Sequence, residues 1–421
     1  MHTLHIIDTF SPSGGGPPES VRELAKAYLA VGSGLEIVCL DDPGELFLKG
    51  IPCPVHALGR PYLGRYGFSP RLLRWLHENS GRFDGLVMHG IWTFPGVALR
   101  FAARRAHKPY AIFVHGALQP WFHQKYPLKH VKKLLYWPVQ YAVLRDALAV
   151  FFTTDIEREL AKTNFRPNTW NSVVVPLGIT DPEERMGDPA AQIETFYRRF
   201  PELRSRRYLL FLGRLHAIKG CDLLLKAFAK IAAFASDVDL VMAGPDQAGL
   251  QAKLQRMAEQ EGIACRVHWP GRIDGDLKWG ALWACDAFVL ASHSENFGMA
   301  VVEALAARRP VLISNQVNIW PEIESDGVGL VDDDTLEGTE RLLRRWFDLS
   351  PDERDAMAAR SRASFLRRYS INQTAMAIDR LFSFVPFSVG KVNAADRVAS
   401  DSDLSVSSPQ RGEVEELRNS S

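Results

Sequence analysis

The chain has 421 residues, 46% hydrophobic and 24% charged, and its 50 Lys and Arg against 49 Asp and Glu leave a formal net charge of +1. That length allows two or three cores with a site between them, which sets aside a single small binding module. The composition is that of an ordinary globular protein, which argues against disorder of the whole chain and against bulk nucleic-acid binding.

Short apolar runs alternate with helical patterns from the start: strand 4–8, helix 19–31, strands 35–40 and 85–89, helix 94–106, then strands 110–115, 149–153 and 173–175. Such alternation predicts a parallel sheet covered by helices on both faces. The pattern pauses across 180–207, a charge-rich stretch read as a linker. It resumes with strand 208–212, helix 221–234, strand 239–243, helix 248–260, strand 267–269, helix 275–284, strand 287–290, helix 299–307 and strand 311–314. Helices are predicted over 351–369 and 371–384, and the serine-rich stretch from Lys391 reads as a solvated, disordered tail. The expected class is therefore α/β with two Rossmann-like, doubly wound domains. The first spans 1–185 and the second 186–370, followed by a helix at 371–385 able to pack back on the first domain and a tail at 386–421.

Residues 1–180 carry an excess of Lys and Arg, and residues 181–421 an excess of acid. The five cysteines, Cys39, Cys53, Cys221, Cys265 and Cys285, form no CxxC pair, which favours a reducing cytosol over a disulfide framework or a zinc site. The N-terminal residues read as a first strand and not as a signal peptide, and Arg145-Asp146 interrupts the longest apolar stretch. The expectation is a cytoplasmic protein, peripheral at most on a membrane face.

Candidate chemistry follows the strands, where open parallel sheets bind ligands. Ser13-Gly14-Gly15-Gly16-Pro17-Pro18-Glu19 lies between the first strand and its helix. Glycine amides and a helix N-terminus suit a phosphate, although a tight turn without a ligand fits the same residues. No GxGxxG or GxxxxGK[ST] pattern occurs, which counts against dinucleotide oxidoreductases and P-loop enzymes. Gly213-Arg214-Leu215-His216-Ala217-Ile218-Lys219-Gly220 places a forked donor and a point charge on one loop, the pair that a diphosphate needs. In Glu295-Asn296-Phe297-Gly298-Met299 and on to Glu303, one carboxylate sits in a loop and the other in the helix that follows, set to reach two ends of one hydroxyl-rich ligand. His115-Gly116 ends one strand and His89-Gly90 the preceding one; His115 is the preferred site histidine, with His89 behind it.

Together the Gly-Arg-x4-Lys-Gly segment, the Glu-x7-Glu segment, the glycine loop and His115-Gly116 resemble the retaining glycosyltransferases of family 4, which have the GT-B fold of two domains facing across a cleft. The likeness runs over about residues 1–385 and includes Trp320-Pro321-Glu322-Ile323; the loop Asn315-Gln316-Val317-Asn318 departs from it by lacking a glycine pair. The resemblance implies transfer from a nucleotide-diphosphate sugar, with retention, to an acceptor hydroxyl of a lipid-linked or growing glycan in polysaccharide biosynthesis. It assigns Arg214 and Lys219 to the diphosphate, Glu295 to sugar hydroxyls, and the amides of Asn296, Phe297, Gly298 and Met299 to sugar and phosphate. Glu303 falls to the ribose, His115 to the donor sugar, and Gly15 and Gly16 to the phosphates. No metal and no cofactor beyond the donor substrate is implied. Residues 119–145, with five Lys or Arg, no acid, and Trp121, Phe122, Tyr126, Tyr136 and Trp137, suit an anionic membrane surface; a solvated basic helix is the plain alternative. A nucleotide-sugar epimerase of the same fold and a non-catalytic sugar-nucleotide binder are the other readings of these motifs.

Overall fold

The structure is a computed structural model that describes residues 1–11, 16–120, 127–185, 187–246 and 249–383. The first sheet is built from β1 (His2–Ile7), β2 (Gly34–Cys39), β3 (Val55–Ala57), β4 (Gly85–His89), β5 (Tyr110–Phe113), β6 (Ala149–Phe152) and β7 (Ser172–Val174). All its pairings are parallel, in the order β3-β2-β1-β4-β5-β6-β7. The second sheet contains β8 (Arg207–Leu212), β9 (Val238–Ala243), β10 (Val267–Gly271), β11 (Ala287–Leu290), β12 (Val311–Ser314) and β13 (Gly329–Asp332), in the order β10-β9-β8-β11-β12-β13, again parallel throughout. Strand order reverses beside β1 in one sheet and beside β8 in the other, so each has a crevice at the carboxyl ends of those strands. The central strands are covered on both faces, which is why they read as near-continuous apolar runs such as Tyr208–Leu212 and Ala287–Leu290.

Three differences from the sequence reading have physical causes. The stretch read as a linker is largely helical: Pro189–Arg199 begins with an Asp188 cap and buries Gln192 and Phe196 while its charges face outward. It packs on helix Gly275–Ala284 so closely that a Cβ on Gly280 would lie 2.1 Å from the Gln192 carbonyl oxygen. The helix predicted over 351–369 runs as Pro351–Ser364 and then widens into a π-helical turn, Phe365–Tyr369, which buries both of those rings. Further elements absent from the sequence reading include β3, β13 and helices Pro70–Asn79, Asp155–Asn164 and Leu336–Asp348.

The chain crosses between the two sheets twice, and the crossings pair. Ile179 N–H donates to the Tyr369 carbonyl at 3.0 Å and Ile371 N–H to the Ile179 carbonyl at 2.9 Å. Gly178 permits this approach, since a Cβ there would sit 2.6 Å from the Ile371 backbone. Helix Ile371–Ser383 then lies against helix Gly16–Ala30, where the Tyr28 hydroxyl donates to Asp379 at 2.7 Å, and Phe382 closes over Gly85.

Candidate active site

Three histidines stand in one row that runs toward the carboxyl end of the first sheet: His5 within β1, His89 at the end of β4 and His115 in the turn after β5. His5 Nδ1 and His89 Nε2 are 2.9 Å apart, and His89 Nδ1 and His115 Nε2 are 3.2 Å apart. The rings stack, with centroids 5.2 Å and 5.4 Å apart, and Phe113 lies parallel to His89. Burial pushes His5 down to about 3, His115 down to about 4 and His89 well below the usual imidazole range, so the row is neutral at pH 7. His5 Nε2 has no hydrogen-bond partner among the described residues. Leaving a lone pair there, and not an N–H, requires the proton on Nδ1 of all three rings, and His115 then keeps an Nδ1–H of its own to donate.

His115 and Gly116 both take positive φ, 46° and 76°. Glu157, which the sequence reading missed, fixes this turn. Its carboxylate accepts from Gly116 N–H at 2.5 Å and from Thr153 N–H and Oγ1 at 2.7 Å each. Burial raises its pKa, while those hydrogen bonds pull the other way.

In the second sheet, the loop after β8 carries Arg214, which is exposed, and half-buried Lys219. The loop lies flat against its neighbours because of two glycines: a Cβ on Gly220 would stand 1.9 Å from the Ala291 carbonyl oxygen, and one on Gly244 only 1.7 Å from that of Gly213. Lys219 Nζ is ion-paired with Glu295 Oε2. The Glu295 loop is held by Glu295 N–H to the Gln316 carbonyl at 2.9 Å and Asn318 N–H to the Glu295 carbonyl at 3.0 Å. Gly298, at φ 84°, opens helix Met299–Ala306. Within that helix Glu303 Oε1 is 2.9 Å from Lys278 Nζ. Burial lowers the Lys278 pKa, but the charge and hydrogen bond of Glu303 more than offset it and the net shift is upward.

The two sheets meet at Asn296. Its Nδ2 donates to Thr153 Oγ1 at 3.1 Å, its Oδ1 accepts from Gln119 Nε2 at 2.6 Å, and its side chain lies over Gly116. Phe297 is 3% exposed and packs edge-on against Tyr369, so its ring belongs to the core and not to the ligand surface. The structure thus brings His115, Asn296, Glu295 and Lys219 into one chain of contacts through Gly116. Glu303 sits apart from that chain in its own pair with Lys278, Gly16 begins its helix, and Gly15 lies outside the described residues.

Two family descriptions match: "Glycosyl transferase 4-like domain" over residues 15–178 and "Glycosyl transferases group 1" over residues 193–364. The chain is also 26% identical over 401 residues to the GDP-mannose:cellobiosyl-diphosphopolyprenol alpha-mannosyltransferase of Komagataeibacter xylinus, covering 91% of this chain and 93% of that one. This chain belongs to the family 4 glycosyltransferases. The glycosyltransferase is also similar to the D-inositol 3-phosphate glycosyltransferase of Salinispora tropica, 32% identical over 195 residues, although that match covers 44% of this chain and 40% of the other. Its fold is that of Anabaena HepE, crystallised with UDP and glucose, at a TM-score of 0.72 and 17% identity over 91% of this chain and 100% of that one. WaaG, a glycosyltransferase of lipopolysaccharide biosynthesis, superimposes at 0.62 with 17% identity over 90% and 99%. The fold is GT-B.

The glycosyltransferase's basic aromatic segment divides on folding. Trp121, Phe122 and Tyr126 lie outside the described residues. In helix Pro127–Arg145, Trp137 is buried and stacks on Phe165 at 4.6 Å, and Tyr136 meets Tyr66 edge-on. Val131, Lys132, Leu134, Leu135 and Val139 face outward, Leu135 80% exposed. Among the described residues no helix is long and apolar enough to cross a membrane.

Proposed function

We propose that this glycosyltransferase moves a sugar from a nucleotide-diphosphate sugar, with retention and without a metal, to a hydroxyl of a lipid-linked or growing glycan. The observation that carries the reading is the pairing of Lys219 with Glu295 beside the Arg214 loop, opposite the neutral His115. Arg214 and Lys219 neutralise the diphosphate as it leaves, which is transition-state electrostatics and needs no added cation. Glu295 holds Lys219 through Oε2 and keeps Oε1 for a sugar hydroxyl. Glu303 in the same way offers its second oxygen to the ribose. His115, neutral and donating, suits an oxygen of the donor sugar better than a phosphate charge.

The Komagataeibacter relative makes GDP-mannose the first donor to try and a diphospholipid-linked sugar the first acceptor. A lipid acceptor also gives a use to the outward face of helix Pro127–Arg145, where Val131, Leu134 and Leu135 can enter an interface while Lys132 meets anionic headgroups. The test is a thermal-shift panel of GDP, UDP and ADP on wild type and Arg214→Ala. It is followed by NMR of the product anomer in the presence of a chelator. One nucleotide should stabilise wild type alone, and the product should keep the donor's anomeric configuration. Stabilisation by none of them, or an inverted product, defeats the reading.

A further inference from the structure

Three aspartates set away from the cleft face cations: Asp181 meets Arg362 at 2.5 Å, Asp239 meets Arg206 at 2.6 Å, and Asp326 meets Arg368 at 2.8 Å. Asp8 does not. It follows the last residue of β1 at the strand-order reversal, one position beyond the register pair Ile7 and His89. It is half-buried, its Oδ1 accepts from Thr93 Oγ1 at 3.3 Å, and among the described residues it has no ion pair. Its carboxylate neighbour Asp41 is committed elsewhere, to Thr9 Oγ1 at 2.5 Å and Phe10 N–H at 2.7 Å, where it clamps the loop after β1. Burial, and then the charge of Asp41, raise Asp8 to about 6 although Thr93 pulls it down. A carboxylate placed without a cation and beside a second negative charge destabilises the fold. It is kept at the crevice where ligands gather.

We propose that Asp8 binds the acceptor, its Oδ2 accepting a hydrogen bond from a hydroxyl of the acceptor sugar while Thr93 holds Oδ1. This rests on the transferase reading above: with the donor on the second sheet, the acceptor has to enter from the carboxyl end of the first. Asp8 is ionised at pH 7.5, so its Oδ2 accepts from a neutral sugar hydroxyl and disfavours an anionic group at that position.

The experiment compares wild type with Asp8→Asn and Asp8→Ala, using GDP-mannose as donor probe and a short-chain alkyl cellobiosyl diphosphate as acceptor probe. Both variants should keep the nucleotide affinity of wild type, and Asp8→Asn should melt no lower than wild type, because an unpaired charge has been removed. Removing a hydrogen bond to a charged group should raise the acceptor KM or lower kcat/KM for the acceptor by about 10- to 100-fold. Unchanged acceptor kinetics overturn the proposal, and so does a loss of thermal midpoint together with nucleotide affinity, which marks a structural clamp. If wild type binds no GDP-mannose, the sugar nucleotide that the panel selects replaces it as donor probe; if no nucleotide binds, the donor reading fails by itself. Saturation-transfer NMR of the cellobiosyl probe without nucleotide then decides Asp8: contact signals that persist in Asp8→Asn, or none on wild type, overturn its role.

Discussion

The histidine row makes stability depend on pH in a window where most proteins are indifferent to acid. His5, His89 and His115 resist protonation when folded but regain the ordinary value of 6.5 when unfolded. Between pH 6.5 and about 4 the unfolded chain therefore binds protons that the folded chain does not. The stability they contribute is complete above 6.5 and is lost as pH falls. Three carboxylates act in the opposite sense. Asp8, raised to about 6, and Glu157 and Glu322, also raised by burial, take protons in the folded state first and so add stability as pH falls below their folded values. Three protons against one to three leave a net uptake on unfolding of at most about two, or up to roughly 3 kcal/mol lost per pH unit just below 6.5. The assay is urea denaturation followed by tryptophan fluorescence at pH 7.5, 6.5, 5.5 and 5.0. Calorimetric proton uptake in buffers of different ionisation heat provides an independent count. In the double variant His5→Phe with His89→Phe the uptake should fall by about two protons and the slope should flatten or reverse. A proton uptake and slope that survive the double substitution unchanged refute the neutral row.

Gly220→Ala should cost about 1–3 kcal/mol in backbone strain and displace the Lys219 loop, lowering nucleotide affinity at least ~10-fold in the thermal-shift panel. Glu157→Gln turns an amide NH2 toward donors that now meet a carboxylate, and urea denaturation at pH 7.5 should show a loss of roughly 1.5–3 kcal/mol. The pair Leu134→Glu with Leu135→Glu should abolish co-sedimentation with anionic vesicles while leaving transfer to a short-chain acceptor intact; retained vesicle binding would remove helix Pro127–Arg145 from the membrane account.

The sequence by itself determined the two sheets and where their ligands should gather. Apolar runs such as Tyr208–Leu212 and Ala287–Leu290, separated by helical patterns, leave little choice but parallel strands covered on both faces. Gly220, Gly298 and Gly116 mark turns with positive φ that few other residues tolerate, so the loops carrying Lys219, Glu295 and His115 were legible from local backbone constraints. Partnership was not legible. His5, His89 and His115 are 84 and 26 positions apart in turn, and parallel strands bring such residues together only through long crossovers that leave no local period. For the same reason Glu157 gave no signal beyond an acid near Thr153, and nothing in the local pattern around Lys278 shows that Glu303, 25 positions on, stands beside it. Phe297 sits inside a site motif, yet its ring belongs to the core with Tyr369, because which face a loop residue buries depends on what packs over it. Charge is the last thing only the tertiary structure decided: burial holds the three histidines neutral and lifts Asp8, and burial is a property of the assembled sheet ends and not of any segment.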